Sequence, residues 1–273
     1  MPYYETVDHV GLCYQDWGAG DPVVFVSAWG LSSRMWQYQM IALVDQGLRT
    51  VAYDRRGHGR SDQPGRGYDY DTLADDLAGL IETLGLEGVT LVGHSMGCGE
   101  IVRYLSRHGD HRVAKVVLVS PLGPFPLRAD DNPRGFDPAV VETVRATWKR
   151  DFTAWVDAGI DCYIGKGLPG CEVSEGLIDW TRQDMLQASL LALLECNRTG
   201  VETDLRMEMT KIAVPSLIIQ GDHDDSIPVE LSGQVCAELV RGSTFRLYED
   251  APHGLYLTHR DRLTADLLSF VKD

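Results

Sequence analysis

A chain of 273 residues with 44% hydrophobic and 24% charged side chains has the balance of a folded globular protein; that length suits one α/β domain carrying an insertion, and the composition excludes a disordered chain. The formal net charge of −15 argues against nucleic-acid and anionic-membrane partners, because neutralising phosphates takes clustered Lys and Arg. The opening stretch Met1-Pro2-Tyr3-Tyr4-Glu5 lacks the basic segment and apolar run of an export signal, and no apolar stretch approaches the ~20 residues of a membrane helix. A cytoplasmic protein is expected, with its scattered cysteines (Cys13, Cys98, Cys162, Cys171, Cys196, Cys236) as thiols; Cys162 and Cys171 are near enough in sequence to pair.

In chain order, residues 10–17 alternate apolar and polar side chains and end at Gly18-Ala19-Gly20-Asp21-Pro22, which reads as an edge strand and a turn. Residues 23–27 are almost wholly apolar, as a strand buried on both faces should be. Residues 50–53, 90–92, 115–119 and 216–219 read alike, and 244–248 form a weaker alternating strand. Between them, 71–84 places Leu73, Leu77, Leu80, Ile81 and Leu84 on one helical face. Residues 95–107 and 257–270 also carry apolar side chains at helical spacing. Alternating strands and helices predict a mostly parallel twisted sheet flanked by helices.

The alternation breaks between residues 121 and 206. That segment opens on Pro121, Pro124 and Pro126, has no clear buried strand and continues in helix-like stretches rich in Trp and Leu. The expected organisation is a core of residues 1–120 and 207–273, with 121–206 as a helical lid over the carboxyl ends of the strands, where open α/β sheets bind ligands.

The strongest chemical signal is Gly93-His94-Ser95-Met96-Gly97, between an apolar strand and a helical stretch. A nucleophile elbow requires that context: the chain turns sharply, a strained serine exposes its hydroxyl, and the flanking glycines avoid clashes. The helix that follows aims its positive end where negative charge would develop. A serine hydroxyl needs a base, and His253, in the turn-rich loop Asp250-Ala251-Pro252-His253-Gly254, follows the last strand. The orienting acid should lie after a strand between the two, where Asp222, Asp224 and Asp225 compete. Asp224 is the expected acid, with Asp222 second and available for an Asx turn. His223 is a minor candidate for a substrate contact.

Together, Gly-His-Ser-Met-Gly, the stretch Gly221 to Pro228 containing Asp224, and Ala251-Pro252-His253-Gly254 resemble the α/β-hydrolase fold. Within that superfamily the chain resembles the cofactor-free (non-haem) haloperoxidase and perhydrolase group of bacterial esterases. The matching stretches include Asp54-Arg55-Arg56-Gly57-His58-Gly59-Arg60-Ser61, Met185-Leu186-Gln187-Ala188-Ser189 and Ile219-Gln220-Gly221-Asp222. The resemblance implies an oxyanion hole from the backbone N–H groups of Trp29 and Met96, and no metal or other cofactor. In relatives the loop after the third strand usually reads His-Gly followed by Trp or Phe. Here it reads Ser27-Ala28-Trp29-Gly30, which removes a customary anchoring side chain and narrows the backbone freedom at position 28.

The expected function is hydrolysis of a small carboxylic ester, lactone or amide through an acyl-enzyme, with perhydrolase or haloperoxidase side activity when peroxide replaces water. A cofactor-independent dioxygenase, a C–C bond hydrolase and a non-catalytic ligand receptor are the alternatives on this fold. Phe125, Trp148, Phe152, Trp155, Trp180, Leu186 and Leu190 are the candidates for an apolar pocket that would suit small substrates with alkyl or aryl groups. Self-association into a homo-oligomer is compatible with the resemblance.

Overall fold

A computed structural model describes residues 2–273; Met1 lies outside them. Eight described strands form one sheet: β1 (Tyr3–Glu5), β2 (Gly11–Gly18), β3 (Pro22–Val26), β4 (Arg49–Tyr53), β5 (Val89–His94), β6 (Val113–Val119), β7 (Ser216–Gly221) and β8 (Thr244–Tyr248). Their order is β1-β2-β4-β3-β5-β6-β7-β8. The pairs β1–β2 and β2–β4 are antiparallel, and all the others are parallel.

Strand alternation explains why the central runs are apolar throughout. Val24 and Val26 of β3, Leu91 of β5 and Val116 and Leu118 of β6 pack into one core layer. Their neighbours Val23, Phe25, Val92, Val117 and Val119 pack into the layer on the opposite face. Each fully buried aliphatic side chain of this kind contributes about 1.5–3 kcal/mol. Helices cover both faces: α1 (Gln37–Val44), α2 (Tyr70–Thr83), α3 (Met96–His108), α4 (Pro138–Tyr163), α5 (Glu175–Met185), α6 (Leu190–Glu202), α7 (Arg206–Met209), α8 (Gly233–Leu239), α9 (Leu255–Thr258) and α10 (Arg260–Lys272). None of the described helices is long and apolar enough to cross a membrane.

Local chemistry sets several boundaries. Asp69 accepts the Thr72 N–H at 2.9 Å, so α2 begins at Tyr70. Such a cap stabilises a helix by about 1 kcal/mol. Within α4, Asp151 adopts an extended conformation (φ −161°, ψ 89°) that interrupts the helix. Its carboxylate then accepts the Ala154 N–H at 2.9 Å and restarts it.

Two expectations are corrected. Residues 10–17 were expected at the sheet edge, but β1 pairs outside β2 and takes that place. At three residues, with only Tyr4 buried, β1 is too short to carry a periodic signal. The pairing considered between Cys162 and Cys171 does not occur; all six cysteines are free thiols.

Candidate active site

The strand–helix junction at Ser95 is tight. Gly93 ends against α3, where an added Cβ would lie 2.8 Å from Ile101 Cδ1 and 2.9 Å from the Cys98 N. A Cβ on Gly97 would lie 2.6 Å from the Val26 carbonyl oxygen. Both positions therefore exclude side chains, and α3 can start directly above β3 and β5. Ser95 absorbs the turn at φ 54°, ψ −118°, and its side chain makes no cap hydrogen bond. For a residue other than glycine this positive φ is strained, as a nucleophile elbow demands.

The loops after β7 and β8 are zipped together at their bases. The Asp222 N–H donates to the Tyr248 carbonyl at 3.0 Å and the His223 N–H to the Ala251 carbonyl at 3.1 Å. This juxtaposes Asp224 and His253, whose Nδ1 lies 2.8 Å from Asp224 Oδ2. The other carboxylate oxygen of Asp224 accepts the Ser226 and Ile227 N–H groups, each at 3.0 Å. Gln220 Nε2 adds a further contact to Oδ2 at 3.2 Å. An acceptor-only carboxylate so placed makes Nδ1 the protonated ring nitrogen of a neutral His253 and leaves Nε2 free to accept a proton. The His253 carbonyl accepts from His94 Nε2 at 2.9 Å, and the Gly254 N–H donates to the Tyr163 carbonyl at 2.8 Å. The histidine loop is thus held by the elbow on one side and the end of α4 on the other.

Asp222, the second choice for the acid, sits apart. Its carboxylate bonds to the half-exposed His223 ring, and neither residue lines the cavity described below. The turn-holding role suggested for Asp222 belongs to Asp224, whose Oδ1 caps two backbone N–H groups.

Ser95 and His253 open onto one cavity of about 410 Å³, walled also by Ala28, Trp29, Met96, Leu122, Trp148, Trp155, Val156, Gly159, Ile160, Cys162, Tyr163, Met185, Cys196, Asn197, Asp225 and Ser226. Of the residues expected to line a pocket, Trp148 and Trp155 do so. Phe152 is not part of that wall and stacks on Trp155, with ring centroids 5.9 Å apart. The other four are elsewhere. Phe125 lies beneath the Arg206 guanidinium, Trp180 packs on Tyr38 and Arg34, and Leu186 and Leu190 are exposed. Bulky apolar side chains were a poor guide because a helical segment buries one stripe and exposes the rest. The usable signal was the spacing in the part of α4 after Asp151, where Trp155, Val156, Gly159, Ile160 and Tyr163 recur on one face. Among the described residues no group of His, Cys, Asp or Glu is arranged to hold a metal ion.

Position 28 is not strained, because Ala28 is outside the set of positive-φ residues; the left-handed turn is taken by Gly30 at φ 75°. His58 bonds through Nδ1 to the Arg56 carbonyl at 3.0 Å, and its Nε2 accepts the Gly30 N–H at 3.3 Å. That arrangement requires a neutral ring, and burial followed by the nearby Arg55 charge pushes its pKa down to about 3. Burial, reinforced by His253, likewise holds the His94 pKa well below normal. In the unfolded chain both titrate near 6.5. Their contribution to stability is therefore complete above pH 6.5 and declines below it, by about 1.4 kcal/mol per pH unit for each ring. For His58 the decline runs until about pH 3. Melting temperatures should accordingly drop between pH 7 and pH 5, and His58→Gln should show a shallower drop. An unchanged slope in that variant would remove His58 from the explanation.

An elbow serine above the central strands of a mostly parallel sheet, with Asp and His on the loops after β7 and β8, defines an α/β hydrolase, and the chain belongs to that family. Residues 21–153 match the family model described as alpha/beta hydrolase fold. The chain is 41% identical to a non-heme chloroperoxidase of Streptomyces lividans, covering 98% of each protein. It is 37% identical to a bifunctional esterase/perhydrolase of Acinetobacter calcoaceticus, covering 100% of both. The crystal structure of a bromoperoxidase from Bacillus anthracis superposes with a TM-score of 0.93 at 39% identity, over 97% of this chain and 96% of the other.

Proposed function

We propose that the protein is a cofactor-free serine esterase in which Ser95 is the nucleophile, His253 the general base and Asp224 the orienting acid. The observation that carries this reading is the shared cavity. Ser95 and His253 face the same space, while a buried carboxylate bonded to His253 Nδ1 leaves Nε2 to take the serine proton. Ser95 attacks the ester carbonyl, His253 accepts the hydroxyl proton and passes it to the departing alcohol, and water then cleaves the acyl-enzyme with His253 again as base. The backbone N–H groups of Trp29 and Met96 hold the oxyanion. Met96 suits the task because the first residue of a helix has no acceptor one turn earlier. Trp29 suits it because its N–H has no partner among the described residues. Hydrogen peroxide in place of water releases a peracid and regenerates the serine, a side reaction in keeping with the esterase/perhydrolase relative. Residues 121–206 serve as the lid over a core of 1–120 and 207–273, supplying the wall from Trp148 to Asn197.

The wall also describes the substrate. Aromatic and aliphatic side chains dominate it, no Lys or Arg contributes among the described residues, and Asp225 places a carboxylate in it. A small neutral ester with an alkyl or aryl group fits this lining. A short series of p-nitrophenyl esters should be hydrolysed, the butyrate well and the equally long but anionic hemisuccinate poorly. Asp225→Asn should narrow that gap about fivefold, worth about 1 kcal/mol for one partly solvated charge. High salt should shrink the same gap in the wild type. Absence of turnover across the series in a well-folded protein would reject the esterase reading, and an unchanged gap in the variant would reject the role of Asp225.

A further inference from the structure

The loop that supplies the Trp29 N–H lacks the histidine usual in relatives, yet it is not loosely held. Arg55, at the end of β4 and fully buried, reaches it with both terminal nitrogens. Nη1 donates to the Ala28 carbonyl at 3.0 Å and Nη2 to the Ser27 carbonyl at 2.6 Å. On its other edge the guanidinium pairs with Glu100, also fully buried. Glu100 is fixed in turn by the Tyr53 hydroxyl, which donates to its Oε2 at 2.9 Å. Glu100 lies on α3, the helix whose first residue, Met96, offers the other oxyanion donor. One ion pair therefore ties the donor loop to the donor helix.

Peptide geometry turns this anchor into a directional device. The Ala28–Trp29 peptide is trans, since the described chain contains no cis bonds. In a planar trans peptide the C=O and the following N–H point in opposite directions. Holding the Ala28 carbonyl toward Arg55 in the core consequently turns the Trp29 N–H the other way, on the side of the cavity that Ala28, Trp29 and Ser95 line. Two further bonds fix the plane: the Leu31 N–H also donates to the Ala28 carbonyl at 3.4 Å, and Trp29 Nε1 donates to the Leu193 carbonyl at 2.8 Å. We propose that Arg55, braced by Glu100, is the positioning residue that aims the Trp29 N–H at the developing oxyanion. The inference rests on the serine-esterase reading, and it names the guanidinium as the anchor that holds this loop without a histidine in it.

The test compares the wild type with Arg55→Lys and with the neutral double variant Arg55→Met/Glu100→Gln. The double variant leaves no buried charge unpaired and keeps an acceptor for Tyr53, so it guards against a failure to fold. Two measurements are made: kcat and KM for p-nitrophenyl butyrate, and inhibition by an aryl trifluoromethyl ketone beside its methyl ketone. The trifluoromethyl ketone adds the serine oxygen to its carbonyl and places an oxyanion in the hole; the methyl ketone only fills the pocket. A misdirected donor should lower kcat about 100-fold to 1,000-fold, with KM within about threefold. Affinity for the trifluoromethyl ketone should fall by a similar factor, and methyl ketone affinity should hold. A folded variant with kcat within about threefold of wild type would overturn the proposal. So would a parallel loss of methyl ketone affinity, which marks a collapsed pocket. If the wild type hydrolyses no ester, it is the esterase reading that fails; the ketone pair still reads the donor, and wild-type binding that fails to distinguish the two ketones would overturn both.

Discussion

Ser95→Ala should reduce ester turnover by about five orders of magnitude or more, the scale seen when a serine nucleophile is removed from an intact triad. The structure makes this a clean experiment. The Ser95 side chain makes no cap hydrogen bond, so its hydroxyl has no structural duty at the start of α3. Alanine meets the same backbone restriction at φ 54° as serine does, so the elbow should form in both proteins with similar strain. The melting temperature should thus stay near that of the wild type while kcat collapses, and any residual rate should come from the oxyanion donors and binding alone. A variant that keeps more than about 1% of wild-type kcat would mean that another group attacks the ester, or that the measured turnover arises elsewhere on the protein.

The second large effect separates the acids. Asp224→Asn should lower kcat about 10,000-fold, while Asp222→Asn should change it less than about threefold. The argument lies in the tautomer. An Asn carbonyl oxygen at position 224 can still accept the Ser226 and Ile227 N–H groups, which turns its amide nitrogen toward His253. An amide donor facing Nδ1 favours the ring with its proton on Nε2, and that nitrogen can then no longer take the serine proton. Geometry is preserved and chemistry is lost. Asp222 faces only His223 near solvent, so its neutralisation leaves the His253 ring untouched. Measuring kcat for both variants beside their melting curves decides the matter: equal losses in two folded proteins would undo the assignment to Asp224.

Much of this architecture was legible before any coordinates. The buried strands announce themselves because a strand covered on both faces must be apolar at every position, as residues 23–26 and 116–119 are. The elbow was legible because a strand–serine–helix turn tolerates only glycine on either side, and the added-Cβ contacts at Gly93 and Gly97 show why. Chain order then directed attention to the loops after β7 and β8. The pocket was far less legible. Of seven bulky apolar residues singled out, Trp148 and Trp155 form wall, and small or polar neighbours such as Gly159, Asn197 and Ser226 complete it.

By itself, the sequence determined the sheet, the elbow and the kinds of residue that meet there, because periodicity and turn chemistry are local and each element states its own burial. Tertiary structure decided direction and partnership. Three aspartates within four positions are equivalent as text, and only the zipping of the β7 and β8 loops turns Asp224 toward His253 and Asp222 toward solvent. Likewise Arg55 reads as one charge in a basic loop. Only the parallel pairing of β3 between β4 and β5 brings its guanidinium under carbonyls 27 and 28 residues away in sequence. Which way a side chain points depends on the packing of elements distant in the chain, and no local pattern carries that information.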